Sequence, residues 1–197
     1  MSSEYKPLEY WSKRMEPSSA DEVYTNAHCA FLRKYIRPES LVLDYGPGIG
    51  RVFQAYHAGQ RVIGIDISPL YVSRVIDAAK RRDLIYDHIL TYTHSRIPTY
   101  LNGYWFDCIV FSEVLLHVPY AAFRTLLRQA QSIARRVLII TWESKDTPQN
   151  LAPHCFNHKY MEVFEEQGVK VTDCVPFRDQ TFYALETVAD VEGSPPK

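Results

Sequence analysis

The sequence predicts an α/β fold of three layers: a seven-stranded, mostly parallel sheet between helices, with its last strand antiparallel. Three observations carry this. Five short runs rich in Val, Ile and Leu alternate with stretches of helical period, the pattern of a parallel sheet buried on both faces. Acids and glycines sit at the carboxyl ends of those runs, where ligands bind in such sheets. Two final runs, 169–177 and 179–188, are joined by a very short link, which requires antiparallel pairing.

In chain order, residues 20–36 put Val23, Ala27, Ala30, Phe31 and Tyr35 near one helical face, and Pro38 closes that helix. Residues 40–45 (SLVLDY) form a fully apolar strand ending in an acid. Residues 50–59 read as a helix stopped by Gly59, and 61–66 (RVIGID) as a second strand ending in an acid. Ser68 caps a helix over 68–82, with Pro69 at its first position. Strands follow at 84–92 and 105–112, then a helix over 113–134 broken near Pro119. A fifth strand at 135–143 leads through a long polar loop to a helix over 158–168. The expected organisation is an N-terminal helical cap (1–38), a catalytic core (39–188) and a disordered tail (189–197).

Composition narrows the class. Of the 197 residues 46% are hydrophobic and 23% charged, as in an ordinary globular domain, and the net charge of −1 excludes binding of nucleic acid through a global positive field. The basic runs at 80–83 (KRRD) and 135–136 read as solvated helix ends. No run reaches the ~18 apolar residues of a membrane helix, and the N-terminus lacks the pattern of a secretion signal. Cys29, Cys108, Cys155 and Cys174 form no CxxC pair, so reduced thiols in a cytoplasmic protein are expected.

The densest stretch is LVLDYGPGIGRVF, residues 41–53, in which Asp44 precedes Gly46, Gly48 and Gly50. Bare backbone at such spacing lets a ligand approach closely. A dinucleotide loop of the GxGxxG type would also have an acid about 20 residues on, as Asp66 is. Its third glycine fails, because Arg51 stands there. A carboxylate at Asp44 would repel a pyrophosphate and attract an ammonium group.

VLDYGPGIG resembles the signature of class I S-adenosylmethionine-dependent methyltransferases, an acid followed by GxGxG after the first strand. VIGIDIS and FDCIVFSEVLLHV resemble that family's second-strand and fourth-strand motifs, and the similarity spans roughly 40–188. The resemblance implies a Rossmann-like methyltransferase fold, S-adenosyl-L-methionine as cofactor and S-adenosyl-L-homocysteine as product. It implies that Asp44 and the backbone of Tyr45, Gly46, Pro47, Gly48 and Gly50 hold the methionine end. Asp66 would take both ribose hydroxyls, Ile67 would pack on the adenine, and Ser112 would line the methionyl part. After the third strand the family often has an acid for the adenine amino group; here Thr91, Tyr92 or Thr93 must serve through backbone groups. Residues 8–15 (LEYWSKRM) resemble the helix that closes over the cofactor, so Tyr10, Trp11 and Arg14 are candidate cofactor contacts.

O-methylation favours a general base, and histidine is the natural one. His117, with Glu113 four residues earlier on the same side of one helical turn, is the first candidate. His158 is a second catalytic candidate, touching substrate together with Tyr160 or capping its helix. Trp142 and Glu143 end the fifth strand and, with His154 in the following loop, should face the acceptor. The H-C-x-x-H spacing of 154–158 has no second cluster to complete a metal site, so no metal is expected. The leading reading is methyl transfer to a hydroxyl of a small molecule or sugar, without membrane or nucleic-acid partners. An N-methyltransferase, a protein or nucleic-acid methyltransferase, a non-catalytic cofactor-binding module and an NAD-dependent oxidoreductase are the alternatives.

Overall fold

The structure is a computed structural model that describes residues 6–13, 22–91, 93, 95–143 and 155–187. Its centre is a seven-stranded sheet. The strands are β1 (Val42–Tyr45), β2 (Arg61–Asp66), β3 (Ile85–Leu90), β4 (Phe106–Ser112), β5 (Ala134–Trp142), β6 (Lys170–Phe177) and β7 (Gln180–Glu186). Their spatial order is β3-β2-β1-β4-β5-β7-β6. Pairing is parallel from β3 through β5, while β7 runs antiparallel to both β5 and β6. The expected architecture is therefore present, including the hairpin, whose turn is Arg178 and Asp179.

The order reverses at β1, which pairs with β2 on one side and β4 on the other. Connections leaving β1 and β4 thus diverge and open a crevice at the carboxyl ends. All four residues of β1 are buried, because the strand lies mid-sheet with a layer on each face. On one face, α4 (Tyr120–Ile133) lays down Phe123, Leu126, Leu127, Ala130 and Ile133, an apolar stripe of helical spacing, beside α5 (Tyr160–Glu166). On the other, α2 (Glu22–Arg33) and α3 (Val72–Arg81) cover Val42, Val62, Val110, Leu138 and Ile140. A first helix, α1 (Pro7–Lys13), precedes them.

Two expected helices are shorter than their sequence pattern. Residues 50–59 give only a 3-10 turn, Arg51–Ala55. Tyr56 leaves helical dihedrals for extended ones, and its hydroxyl reaches Asp44. The span 113–134 begins as a 3-10 turn, Leu115–His117, before α4. Glu113 has a φ of 55°, so no helix runs through it. Glu113 and His117 therefore do not share a helical face, contrary to expectation. The tail expected over 189–197 lies outside the described residues.

Tyr160 also corrects the sequence reading. It is fully buried, its hydroxyl is 2.6 Å from Thr141 Oγ1, and its ring packs on Phe123, Phe164 and Tyr183. It anchors α5 to the sheet and is not a substrate contact. Tyr160→Phe should cost about 1–2 kcal/mol of stability by stripping the Thr141 hydroxyl of its partner. Tyr160→Ala should cost about 3–5 kcal/mol through cavity formation. Urea unfolding measures both, and affinity for S-adenosylhomocysteine should be unchanged in the phenylalanine variant.

Candidate active site

The glycine loop is fastened to the end of β2. Gly46 N–H donates to Ile65 O at 2.7 Å, and Gly48 N–H donates to Asp66 Oδ2 at 3.0 Å. The other oxygen of Asp66 accepts from Ser68 N–H at 2.9 Å. Gly46 has a φ of 75°, and a Cβ there would lie 2.7 Å from Val114 Cγ2. The loop thus presses against the turn after β4, a contact only glycine allows. Gly50, at φ 78°, is enclosed by Phe53 and Ala78 in the same way.

Asp44 is wholly buried at the next strand end. Tyr56 donates to its Oδ2 at 2.7 Å, and its Oδ1 has no hydrogen-bond partner among the described residues. Burial raises its pKa to about 7, and the negative charge of Asp66 adds to that rise against the Tyr56 hydrogen bond. Burial also raises the pKa of Asp66, against the backbone N–H groups that it accepts from. Ser112 Oγ is a second buried polar atom without a partner. One unmet acceptor and one unmet hydroxyl thus flank the glycine loop. A zwitterionic amino-acid group, with an ammonium and a carboxylate, supplies what both lack, so the residues present fit the methionine end of S-adenosylmethionine.

The remaining expected cofactor residues divide. Ile67 is buried beside Asp66. Thr91 spends its N–H on Asp66 O at 2.8 Å, which removes that group as an adenine donor. The Tyr45 side chain turns away from the loop: it packs on Phe111, and its hydroxyl donates to Arg96 O. Only the Tyr45 backbone is in position. Pro47 is buried, and its carbonyl accepts from Gly50 N–H. Helix α1 crosses the crevice. Trp11 O accepts from Ser68 Oγ at 3.1 Å, its ring lies edge-on 4.9 Å from His117, and Tyr10 packs on Trp11. Arg14, Tyr92 and His154 lie outside the described residues.

The expected catalytic residues also separate. His158 is 3% exposed, donates Nε2–H to Leu115 O at 3.0 Å, and packs on Phe123. Burial lowers its pKa. It is a neutral core imidazole that ties the chain before α5 to the turn after β4, not an acid or base for substrate. His117 is half-buried, with Nδ1 3.7 Å from Cys155 Sγ. Glu113 does not act with it. Its carboxylate accepts from Arg51, from Trp142 Nε1 at 2.9 Å and from Gln180 Nε2 at 2.5 Å, so it is a structural anion. Glu143 accepts from the Tyr183 hydroxyl at 2.5 Å. Among the described residues no group of three His, Cys, Asp or Glu could hold a metal ion.

Sequence reasoning missed the partners. Tyr56 under Asp44, Gln180 under Glu113 and the buried His28, 2.6 Å from Gln180 Oε1, belong to no motif. His28 lies 152 residues from Gln180 in sequence, and no local pattern reports such a pair. Burial holds the His28 pKa down at about 4.

The raised Asp44 pKa fixes a sign. Between the ordinary carboxyl range and pH 7 the native state binds a proton that the unfolded chain has lost, so stability without ligand falls as pH rises through that window. An ammonium ligand favours the ionised form, so affinity for S-adenosylhomocysteine should rise as pH goes from about 5.5 to about 8. Calorimetric titration across this range should show the rise, and Asp44→Asn should flatten it.

Comparison with known proteins bears on family and fold. A family model described as a methyltransferase domain matches residues 20–179. Against curated protein sequences no match is found. Among solved structures, magnesium protoporphyrin IX methyltransferase from Synechocystis PCC 6803, crystallised with S-adenosylhomocysteine, is 16% identical with a TM-score of 0.62, over 91% of this chain and 93% of that one. The PH0226 protein from Pyrococcus horikoshii OT3 is 13% identical with a TM-score of 0.67, over 91% and 98%. A SAM-dependent methyltransferase from Leishmania major is 16% identical with a TM-score of 0.67, over 91% and 81%. At these identities the structural likeness speaks for the fold, while the family model covers most of the chain. By that model the chain belongs to the methyltransferase-domain family and is a class I S-adenosylmethionine-dependent methyltransferase.

Proposed function

We propose that this methyltransferase acts on a hydroxyl oxygen of a small-molecule or sugar acceptor, with His117 as general base. One observation carries the reading. Of the two histidines near the turn after β4, His158 is closed into the core, whereas the half-buried His117 faces Trp11 of α1 across the crevice. A hydroxyl must lose its proton as it attacks, and an imidazole is suited to take it near neutral pH.

The cofactor supplies a methyl group on a positively charged sulfur. The chain supplies the rest. In this reading Asp44 meets the ammonium group, and Ser112 with the glycine-loop backbone meets the carboxylate. Asp66 accepts from the ribose hydroxyls beside the two N–H groups it already holds. His117 accepts the acceptor's proton at Nε2, its Nδ1 facing Cys155. Helix α1 acts as the cap, excluding water by its contacts to Ser68 and His117. Holding the two reactants in line this way is worth about 7–11 kcal/mol.

The test separates binding from chemistry. Asp66→Ala should weaken S-adenosylhomocysteine binding by about 1.5–3 kcal/mol through a lost charge-assisted pair, read by calorimetry. His117→Ala should leave that affinity unchanged and lower turnover about 10²–10⁴-fold on any hydroxyl acceptor found in a screen. Full turnover in His117→Ala would make the imidazole structural.

A further inference from the structure

We propose that Trp142 is a fixed aromatic platform on which the acceptor lies, and that the acceptor is planar and aromatic. The proposal rests on the methyltransferase reading and narrows it.

Trp142 ends β5 with 38% of its surface exposed. Its indole N–H donates to Glu113 Oε1 at 2.9 Å. Glu113 follows Ser112 directly and precedes Val114, the residue against Gly46. The platform therefore stands beside the wall of the glycine loop, where the methyl group is delivered.

An exposed indole is normally free to change rotamer. This one is held from two directions. Glu113 is itself fixed by Arg51 and Gln180, and Gln180 by His28. Tyr24 of α2 stacks on the indole at 5.7 Å and 29°. Tyr24 in turn is fixed by its hydroxyl, which donates to Asp179 Oδ1 at 2.7 Å. The Arg178 guanidinium lies 5.0 Å from the Tyr24 ring centroid, and Phe177 meets that ring edge-on at 5.8 Å. Strands β6 and β7 with the turn between them, α2, the 3-10 turn Arg51–Ala55 and the turn after β4 thus supply the residues that hold one partly exposed ring. A rigid aromatic side chain left partly in water at the mouth of a site is what recognition surfaces use.

The surrounding polar groups indicate what the ring recognises. The indole has a single polar group, its N–H, and Glu113 has taken it. Glu113 accepts three donors, Glu143 accepts from Tyr183, and the Tyr24 hydroxyl is spent on Asp179. These hydrogen-bonding groups are satisfied within the protein, so what the platform offers a ligand is chiefly a π-face. That suits a flat aromatic ring better than a sugar, whose hydroxyls would need partners of their own.

The experiment uses the full chain saturated with S-adenosylhomocysteine and three probes: 4-nitrophenol, methyl α-D-glucopyranoside and cyclohexanol. Calorimetry should show saturable binding of 4-nitrophenol alone. Trp142→Ala should weaken it about tenfold, and Trp142→Phe should retain most of it. Affinity for S-adenosylhomocysteine should be the same in all three proteins. As a check that does not depend on removing the ring, the Trp105→Phe variant keeps Trp142 and leaves Trp11 of the cap untouched. Its emission should be quenched saturably by 4-nitrophenol, with the calorimetric affinity. Binding of the glucoside in place of 4-nitrophenol, absence of 4-nitrophenol binding, or equal affinity in Trp142→Ala and wild type would each overturn the proposal. Failure of the wild-type protein to bind S-adenosylhomocysteine would instead overturn the cofactor reading on which it rests.

Discussion

A carboxyl group without a cation, sealed under a glycine loop, is the constraint around which this molecule is built. Asp44 is wholly buried, one oxygen has no partner, and the acid at the neighbouring strand end repels it. An unpaired buried charge is costly. The protein tolerates it by two means: the Tyr56 hydroxyl lowers the cost of ionisation, and burial lets the group hold its proton near neutrality. What relieves it fully is a positive group brought from outside. In the function proposed above an ammonium-bearing ligand supplies that group, whereas a pyrophosphate would add a further negative charge.

The rest of the fold delivers that group to its position. Strand order reverses at β1, so β2 and β4 flank it, each ending beside it at the crevice. The acid of β2 then does two things. It stands ready for hydroxyl donors, and it accepts from Gly48 N–H, which pins the loop in register. The turn after β4 closes the arrangement from the other side through Val114 against Gly46. A methyl group at either glycine-loop contact, Gly46 or Gly50, would meet side chains at 3 Å or less.

A second polar centre, remote in sequence, lies around Glu113 at the ends of β4 and β5. Glu113 adopts left-handed backbone dihedrals that cost a non-glycine residue energy, and such strain persists where surrounding contacts hold it. Here Arg51, Gln180 and Trp142 hold it. The carboxylate first read as a partner of His117 instead joins the 3-10 turn after the glycine loop to β5, β7 and, through His28, α2. Cofactor loop and acceptor wall are therefore one connected structure.

The layers, the parallel character of the first five strands and the closing hairpin were legible in the sequence, because these follow from period, from apolar runs and from link length. So were the two acids and the glycines, because a loop that must approach a ligand excludes side chains locally and leaves a local signature. Tertiary structure alone decided the fates of His117, Glu113, His158 and Tyr160. One backbone angle at Glu113 broke the helical turn that would have placed the first two together. Burial by α4 and β7 turned His158 and Tyr160 from apparent site residues into core. The hydrogen-bond partners that set these outcomes lie 19 to 67 positions away along the chain. Long-range proximity is fixed by how the layers close on one another, and no local pattern of residues encodes it.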